Sequence, residues 1–143
     1  MEVMFNEFCI SNDKTRIDKD IVIDFLSRSY WANKRPIDRT IKAIENSYCL
    51  GVYKDEKQVG FARVISDGAT FFYICDVFVL EEYRGKGIGK KLVEIIVDSD
   101  EFEGMMGLLG TLDAHGLYEK YGFIKDPDRF LKRPPTWSVQ QQS

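Results

Sequence analysis

The feature that most constrains this chain is a change in its apolar pattern at residue 47. From Ser47 to Leu80 the pattern follows a period of two residues, and the turn-forming segments KDEKQ and SDGA divide it into three parts. A period of two is typical of strands, and short polar turns join strands that run antiparallel. The sequence therefore predicts a three-stranded antiparallel meander in the middle of the chain.

Helical spacing of apolar residues marks three further segments. A first helix is predicted to begin at Asp18 or Asp20, either of which can cap it, and to end near Tyr30. A second begins at Pro36, since proline suits the first turn of a helix. A third follows the meander and a glycine-rich segment, and it runs to about Ser99.

Shorter elements are predicted at both ends of the chain. Met4 to Ile10 is expected to form a first strand, and GMMGLLGTL at residues 104–112 a later one. DAHGLYEKYGF then suggests a short helix that ends at Gly122, and Phe123 to Lys125 begin a last strand. After about residue 126, three prolines and a polar end predict an irregular tail.

Composition limits the class of protein. The 143 residues suffice for one domain, assigned to residues 1–143, and 44% hydrophobic and 30% charged residues with a formal net charge of -3 are ordinary for a globular protein. No basic stripe suggests a nucleic-acid partner. We expect no membrane partner and a cytoplasmic location, because no apolar run approaches membrane-spanning length and the N-terminus lacks a signal-peptide pattern. The sequence leaves a homodimer open.

Three cysteines, Cys9, Cys49 and Cys75, lie far apart in apolar surroundings. An odd number with such spacing is typical neither of a disulfide framework nor of a zinc site. We therefore expect reduced core residues and no metal.

Three glycines, Gly85, Gly87 and Gly89, stand at alternate positions in EEYRGKGIGKK, between the meander and the third helix. The start of a helix presents unpaired backbone N–H groups, and its dipole favours negative charge. Without side chains at the glycines, a phosphate can approach these groups. Positive charge at the rim comes from Arg84, Lys86 and Lys90. The sequence predicts that this segment binds an anionic ligand.

Two common classes of phosphate-binding loop do not fit this segment. A Walker loop needs a serine or threonine after Gly-Lys, and Lys91 stands there instead. A dinucleotide fingerprint has a different glycine spacing and opens a parallel βαβ unit, whereas this segment follows an antiparallel meander. Nucleotide hydrolysis and NAD binding are therefore disfavoured.

Two motifs resemble those of a known superfamily. VFVLEEYRGKGIGKKLV resembles the R-x-x-G-x-G/A signature of the GNAT N-acetyltransferases, with Arg84, Gly87 and Gly89 at the signature positions, and LYEKYGF at Leu117 to Phe123 resembles a second signature. Two motifs in the right order are more specific than either alone, and the resemblance spans roughly residues 3–125. It implies an α+β fold in which about four helices flank a mixed, mostly antiparallel sheet of about seven strands, two of which splay apart.

The resemblance also implies acetyl-CoA as the cosubstrate, with its pantetheine arm in the gap between the splayed strands and with no metal. Backbone N–H groups around Val77 to Val79 would stabilise the oxyanion of the reaction. The residues implied to contact acetyl-CoA are Val77, Phe78, Val79, Arg84, Gly85, Lys86, Gly87, Ile88, Gly89, Lys90, His115 and Tyr118.

Acetyl transfer from a thioester needs an acid for the departing thiolate, and the resemblance implies Tyr118 for this role. A phenol with an ordinary pKa of about 10 is protonated at neutral pH and can donate a proton to sulfur. The alternative is that Tyr118 only packs the short helix onto the sheet.

Asp76 and His115 are the candidate bases. Asp76 is the only charged residue in the third predicted strand, and burial there would raise its pKa toward the range of a general base. It could equally pair with Arg63 on the neighbouring strand. His115, the only histidine, has a suitable ordinary pKa, but it could also begin the short helix or touch the cofactor. Much of the superfamily has an asparagine where this chain offers Asp113 and His115, which leaves one pantetheine contact open.

The amine acceptor is expected to bind beside SRSYWANKRP, between the first two helices, which in the resembling fold covers the mouth of the cleft. Tyr30, Trp31 and Arg35 are the candidate acceptor residues. The aromatic pair would suit a cation and Arg35 a carboxylate, so the acceptor stays open. Alternatively, Trp31 packs a helix on the sheet and Arg35 is a solvated charge.

The leading hypothesis is an N-acetyltransferase that moves the acetyl group of acetyl-CoA to a primary amine of a small molecule or protein, by direct attack in a ternary complex. The alternative is a sensor or interaction module that binds acetyl-CoA without turnover. Tyr118 argues against the alternative, since a module that only binds needs no acid beside the sulfur.

Overall fold

A computed structural model describes residues 1–110 and 115–139 of the chain. The described residues form one six-stranded sheet in the order β1-β2-β3-β4-β5-β6. The strands are β1 (Glu2–Phe5), β2 (Phe8–Ser11), β3 (Tyr48–Lys54), β4 (Lys57–Ser66), β5 (Phe71–Val79) and β6 (Met106–Leu109). The α+β class and the mostly antiparallel sheet are confirmed, with six strands in the described part of the chain where about seven were expected.

The helices are α1 (Lys19–Arg28), α2 (Ile37–Glu45), α3 (Ile88–Asp98), α4 (His115–Glu119) and α5 (Thr136–Val139). The three long helices, α1, α2 and α3, confirm the three helices that the apolar spacing predicted. α1 ends at Arg28, slightly before the predicted end near Tyr30, and Pro36 is the N-cap of α2 rather than part of its first turn. α4 confirms the short helix, which a turn joins to Gly122 with φ 89°.

Asp18 begins α1. Its carboxylate accepts hydrogen bonds from the backbone N–H groups of Asp20 at 3.1 Å and Ile21 at 3.3 Å. These donors belong to the first turn of the helix and have no partner within it, so the side chain satisfies groups that would otherwise need water. Of the two predicted caps, the structure selects Asp18.

Replacing Asp18 with alanine should lower the free energy of unfolding by about 1 kcal/mol, because the two N–H groups lose their acceptor. Chemical denaturation of the two proteins measures this difference. Asp20→Ala is the matched control, since the side chain of Asp20 accepts neither of these bonds, and it should cost less. An equal loss in both variants would contradict the assignment of the cap.

The predicted meander is confirmed: β3 pairs antiparallel with β4, and β4 with β5. β6 then pairs with β5 in parallel, from Phe71–Met106 to Ile74–Leu109. A parallel partner needs a long crossover, which α3 supplies between the two strands. The order strand, glycine segment, helix, strand therefore brings the start of α3 to the end of β5.

The single strand predicted from Met4 to Ile10 is wrong, because β1 and β2 form a hairpin instead. Phe5 pairs with Phe8 at its tip, and Asn6 has φ 55°. Asparagine tolerates this left-handed conformation better than most residues, which permits a two-residue turn within the apolar run.

The last strand predicted at Phe123 to Lys125 is also wrong in the described part of the chain, where these residues pair with no strand. The segment is short, since it lies between the turn at Gly122 and Pro127, and proline cannot donate a ladder hydrogen bond. Ile124 is 85% exposed. Residues 126–135 contain neither helix nor strand. They are followed by α5, where the ring of Trp137 packs against the guanidinium of Arg39 on α2, 5.4 Å away.

The core lies in two layers, and Cys49 and Leu50 on β3 belong to different ones because neighbouring residues point to opposite faces. The α3 layer includes Phe8, Ile10, Leu50, Phe72, Ile74, Ile88, Leu92 and Ile96. The layer under α1 and α2 includes Val22, Phe25, Leu26, Ile44, Cys49, Phe61 and Phe78. β5 thus contributes to both layers with residues of the same parity, which a regular strand cannot do.

All three cysteines are free thiols, as expected, but only Cys49 is buried; Cys9 and Cys75 are half-buried, so their prediction as core residues is wrong. In the portion of the chain that the structure covers, every helix is too short or too polar to cross a membrane.

Candidate active site

A bulge in β5 explains its change of face. Phe61 pairs with Phe78 and Arg63 with Cys75, so Asp76 and Val77 together oppose one residue of β4. Asp76 has φ 51°, a strained conformation that aspartate and asparagine tolerate better than other side chains. One extra residue reverses the alternation of side chains. Phe72 and Ile74 therefore point to the α3 layer, whereas Phe78 points to the layer under α1 and α2.

Beyond Ile74, β5 has no strand beside it on the β6 side within the described residues. β6 ends at Leu109, whereas β5 continues along β4 to Val79. A cavity of about 1200 Å³ opens in this gap. Small-ligand sites commonly measure about 300–1,000 Å³, so the gap can hold a large cofactor.

This cavity brings together most of the residues that the sequence singled out. Those that line it are Tyr30, Trp31, Asp76, Val77, Phe78, Val79, Arg84, Gly85, Gly87, Ile88, Gly89 and Tyr118. Lys86, Lys90 and Arg35 are not among its lining residues. All of Asp113 and the side chain of His115 lie outside what the structure describes.

The glycine segment forms one wall of the cavity. Gly85 and Gly87 have φ values of 79° and 84°, which side chains rarely permit, and Gly87 is the N-cap of α3. No side chain in the described part of the chain caps this helix, so the N–H groups of its first turn can serve a ligand. A Cβ atom built at Gly85 or Gly89 meets no heavy atom within 4 Å, which leaves open space for an anion. The segment therefore fits a pyrophosphate.

Arg84 connects the glycine segment to the end of β5. Its Nε donates to the carbonyl of Val79 at 3.3 Å. The side chain thus holds the loop against the strand whose edge faces the gap, and it remains on the cavity wall.

Asp76 is the centre of a buried hydrogen-bond network at the cavity wall. Its Oδ1 accepts from Trp31 Nε1 at 2.9 Å and from Arg35 Nη2 at 3.1 Å. Its Oδ2 accepts from Arg35 Nη1 at 3.0 Å and from Arg63 Nε at 2.9 Å. Only 5% of the residue is exposed. The predicted pairing with Arg63 is confirmed, and Arg35 and Trp31 join it.

The pKa of Asp76 moves in the opposite direction from the one expected. Burial raises it, but the hydrogen bonds from Arg35 and the charges of Arg63 and Arg35 outweigh burial, so the pKa lies below its ordinary value. The expectation of a raised pKa is therefore wrong. A carboxylate of this kind stays ionised at neutral pH and takes up a proton weakly.

Tyr30 and Trp31 form the predicted aromatic pair, with ring centroids 5.1 Å apart in an edge-on arrangement. Tyr30 is 60% exposed and Trp31 39% exposed, and both face the cavity. Arg35, in contrast, is not a solvated charge: its side chain is 14% exposed and holds Asp76. It is not among the residues that line the cavity, and it shares Asp76 as a hydrogen-bond partner with Trp31.

Tyr118 presents part of its surface to the cavity from α4. Its ring packs edge-on against Phe123, with centroids 6.2 Å apart, and Phe123 contacts the core residue Phe72 at 6.5 Å. Phe123 therefore links Tyr118 to the core.

Sequence reasoning missed several cavity residues. Phe25 stacks on Phe78 with centroids 4.1 Å apart, and Arg28 pairs with Glu81 at 3.2 Å. Glu81 could have been noticed, because it begins the glycine motif. Lys132 lines the cavity from the tail, where no pattern in the sequence pointed to a function. Further missed residues are Ser29, Tyr73, Ile74, Cys75, Tyr83, Leu109, Gly110 and Leu117.

Known proteins share both sequence and fold with this chain. The acetyltransferase (GNAT) domain model matches residues 45–125, more than half of the chain. A candidate acetyltransferase of the GNAT family from Xanthomonas campestris pv. campestris has 38% identity and a TM-score of 0.87 over 92% of this chain and 96% of its own. A candidate acetyltransferase of Gibberella zeae is 29% identical over 87% of this chain and 82% of its own. A candidate acetyltransferase of Clostridium acetobutylicum, solved with acetyl-CoA, has 17% identity and a TM-score of 0.63 over 89% of this chain and 94% of its own.

This chain belongs to the GNAT family of acetyltransferases, and the resemblance carried by its two motifs is confirmed. Acetyl transfer is the general activity of that family, and a protein of the same fold has been solved with acetyl-CoA.

Proposed function

We propose that this protein is an N-acetyltransferase that moves the acetyl group of acetyl-CoA to a primary amine by direct attack in a ternary complex. The carrying observation is the gap beside β5 beyond the end of β6, because the glycine segment, the free edge of β5 and Tyr118 all line one cavity. Acetyl-CoA supplies an acyl group activated as a thioester. The chain must bind its phosphates, polarise its carbonyl and protonate its sulfur.

The segment from Arg84 to Lys90 would bind the pyrophosphate. Open space in front of Gly85 and Gly89 and the uncapped start of α3 support this role. Lys86 and Lys90 lie in the same segment without lining the cavity, so we assign them long-range attraction of the phosphates rather than contact.

The edge of β5 would stabilise the oxyanion. The N–H of Leu80 donates to Val59 on β4 at 2.9 Å, and N–H groups alternate in direction along a strand. The N–H group of Val79 therefore points away from β4, toward the gap, whereas Val77 lies in the bulge, where this alternation is interrupted. Donors fixed in the backbone need no reorganisation as charge develops on the carbonyl oxygen.

We assign Tyr118 as the acid that protonates the departing thiolate, and Asp76 as an anchor for Trp31 and Arg35 rather than as the base. The lowered pKa of Asp76 and its four hydrogen bonds support the anchoring role. The proton of the amine then leaves through water in the open cavity. This proposal makes the shape of the acceptor wall depend on Asp76.

The test mixes the protein with acetyl-CoA and a panel of primary amines: amino acids, monoamines, polyamines and a lysine-containing peptide. We expect release of free CoA that requires an amine and equals the acetylated product formed. If acetyl-CoA binds and none of these amines is acetylated, the proposal fails, and binding without turnover remains the explanation of the site.

Replacing Gly89 with valine should weaken acetyl-CoA binding by at least tenfold, because the side chain would fill the space proposed for the pyrophosphate. Gly89 is preferable to Gly87, whose φ of 84° would strain any side chain. The melting temperature should not fall, since a helical glycine is itself unfavourable. Calorimetric titration and thermal denaturation measure the two effects. Unchanged affinity for acetyl-CoA in the folded variant would contradict the placement of the pyrophosphate at this segment.

A further inference from the structure

The network around Asp76 carries more positive than negative charge. Arg35 and Arg63 both pair with this one carboxylate, and the three side chains are 14%, 10% and 2% exposed. Among the residues that the structure describes, neither guanidinium pairs with another carboxylate. A buried cluster with a net positive charge is costly unless an anion completes it.

Neighbouring groups do not supply that anion. Burial raises the pKa of Cys49 to about 11 and that of Cys75 to about 12. Both thiols are therefore neutral at pH 7, although each lies close enough to Arg63 to feel its charge. Trp31 contributes a neutral N–H donor to the network. One positive charge is left over behind the acceptor wall.

The cavity surface carries positive charge at Lys132 as well as at Arg84 of the glycine segment. Lys132 is exposed, lines the cavity and forms no ion pair within residues 1–110 and 115–139. The tail that carries it docks on α2, where Trp137 packs against Arg39, and Lys132 lines the same cavity as Tyr30 and Trp31. Arg28 and Glu81 also line the cavity, but they form an ion pair at 3.2 Å, so their charges cancel.

We infer that the amine acceptor also carries a carboxylate, as an amino acid does, and that Lys132 binds it while the excess charge of Arg35 and Arg63 attracts it from behind the cavity wall. One carboxylate on the acceptor is enough to balance the single excess positive charge of the cluster formed by Arg35, Arg63 and Asp76. The inference rests on the proposed function and names the substrate class of that site.

The same arrangement decides between the two acceptor types that the sequence left open. Tyr30 and Trp31 could hold a cation on their ring faces, but a polyamine would bring its further positive charges toward Lys132 and the arginine-rich network. The aromatic pair instead offers apolar surface to the side chain of an amino acid.

The experiment compares acceptors in matched pairs that differ in the carboxylate: phenylalanine with phenethylamine, and lysine with cadaverine. Acetylation by the full-length protein is followed as CoA release at saturating acetyl-CoA. We expect kcat/KM for each amino acid to exceed that for its decarboxylated partner by about tenfold or more.

Lys132→Gln should reduce this preference about threefold to tenfold, and Lys120→Gln is the matched control. Lys120 is exposed and does not line the cavity, so its loss removes the same charge without touching the acceptor. Taking the ratio within each protein cancels the different intrinsic reactivity of the paired amines.

Each outcome decides the inference. If the decarboxylated amines react as well as the amino acids, or if the two lysine variants behave alike, acetyl transfer stands and the inference is wrong. If nothing is acetylated although acetyl-CoA binds, the proposed function fails. The carboxylate site is then tested by the melting temperature of the CoA-saturated protein. A rise with the amino acids but not with their decarboxylated partners supports the site, and any other result overturns it.

Discussion

Replacing Tyr118 with phenylalanine should lower kcat by about a hundredfold to ten-thousandfold, the usual range for general acid catalysis, and leave the affinity for acetyl-CoA unchanged. The variant keeps the ring and its edge-on packing against Phe123. It removes the hydroxyl that would protonate the sulfur, an interaction made chiefly in the transition state. The effect is smaller if thiolate departure does not limit the rate, since a thiol with a pKa of about 8.5 leaves tolerably well.

The measurement is the steady-state rate with the best amine, beside a calorimetric titration of acetyl-CoA. Tyr121→Phe is the matched control: it makes the same chemical change in the same segment at a residue that does not line the cavity, and it should retain the wild-type rate. If Tyr118→Phe also turns over at the wild-type rate, Tyr118 only packs and the acid lies elsewhere.

Replacing Asp76 with asparagine should lower the free energy of unfolding by about 3–5 kcal/mol, because two buried guanidinium groups lose their counter-ion. Asparagine tolerates the φ of 51° at this position, so the loss reports the charge and not backbone strain. Chemical denaturation at pH 7 measures it. Asp24→Asn is the control, because Asp24 pairs with Arg28 on the surface, with 70% of its side chain exposed, and should have a small effect.

The stability lost in Asp76→Asn should depend on pH. The pKa of Asp76 is lowered on folding, so its carboxylate contributes fully above the unfolded-state pKa of about 3.9. That contribution disappears as the pH falls through the lower folded-state pKa. The difference in melting temperature between wild type and variant should therefore be constant near neutral pH and should disappear below about pH 4.

Kinetics of the same variant separate anchoring from base catalysis. An anchor that shapes the acceptor wall should raise KM for the amine and leave the affinity for acetyl-CoA intact. A base would lower kcat with little change in stability. Full stability together with full activity would contradict both roles.

Features that depend on neighbouring residues were predictable from the sequence. The cap at Asp18 and the meander from residue 47 follow from side chains a few positions apart, because capping and alternation are local. The order of strand, glycine segment and helix was predictable for the same reason, because consecutive residues specify it. The hairpin at Asn6 shows the limit, since one tolerant residue turned a continuous apolar pattern into two strands.

By itself the sequence determined the α+β class, the family and the position of the glycine segment before α3, and it made Tyr118 a candidate acid. Only the tertiary structure decided the state of Asp76. Burial alone predicts a raised pKa, but the bulge at Asp76 turns its carboxylate toward Arg35 and Trp31, 41 and 45 residues away in the chain, and charged partners lower the pKa more than burial raises it. Lys132 reaches the cavity in the same way, from a tail without a motif. Charged side chains from distant segments come together at one site only after the chain has folded, so a local sequence pattern does not predict their combined effect on a pKa.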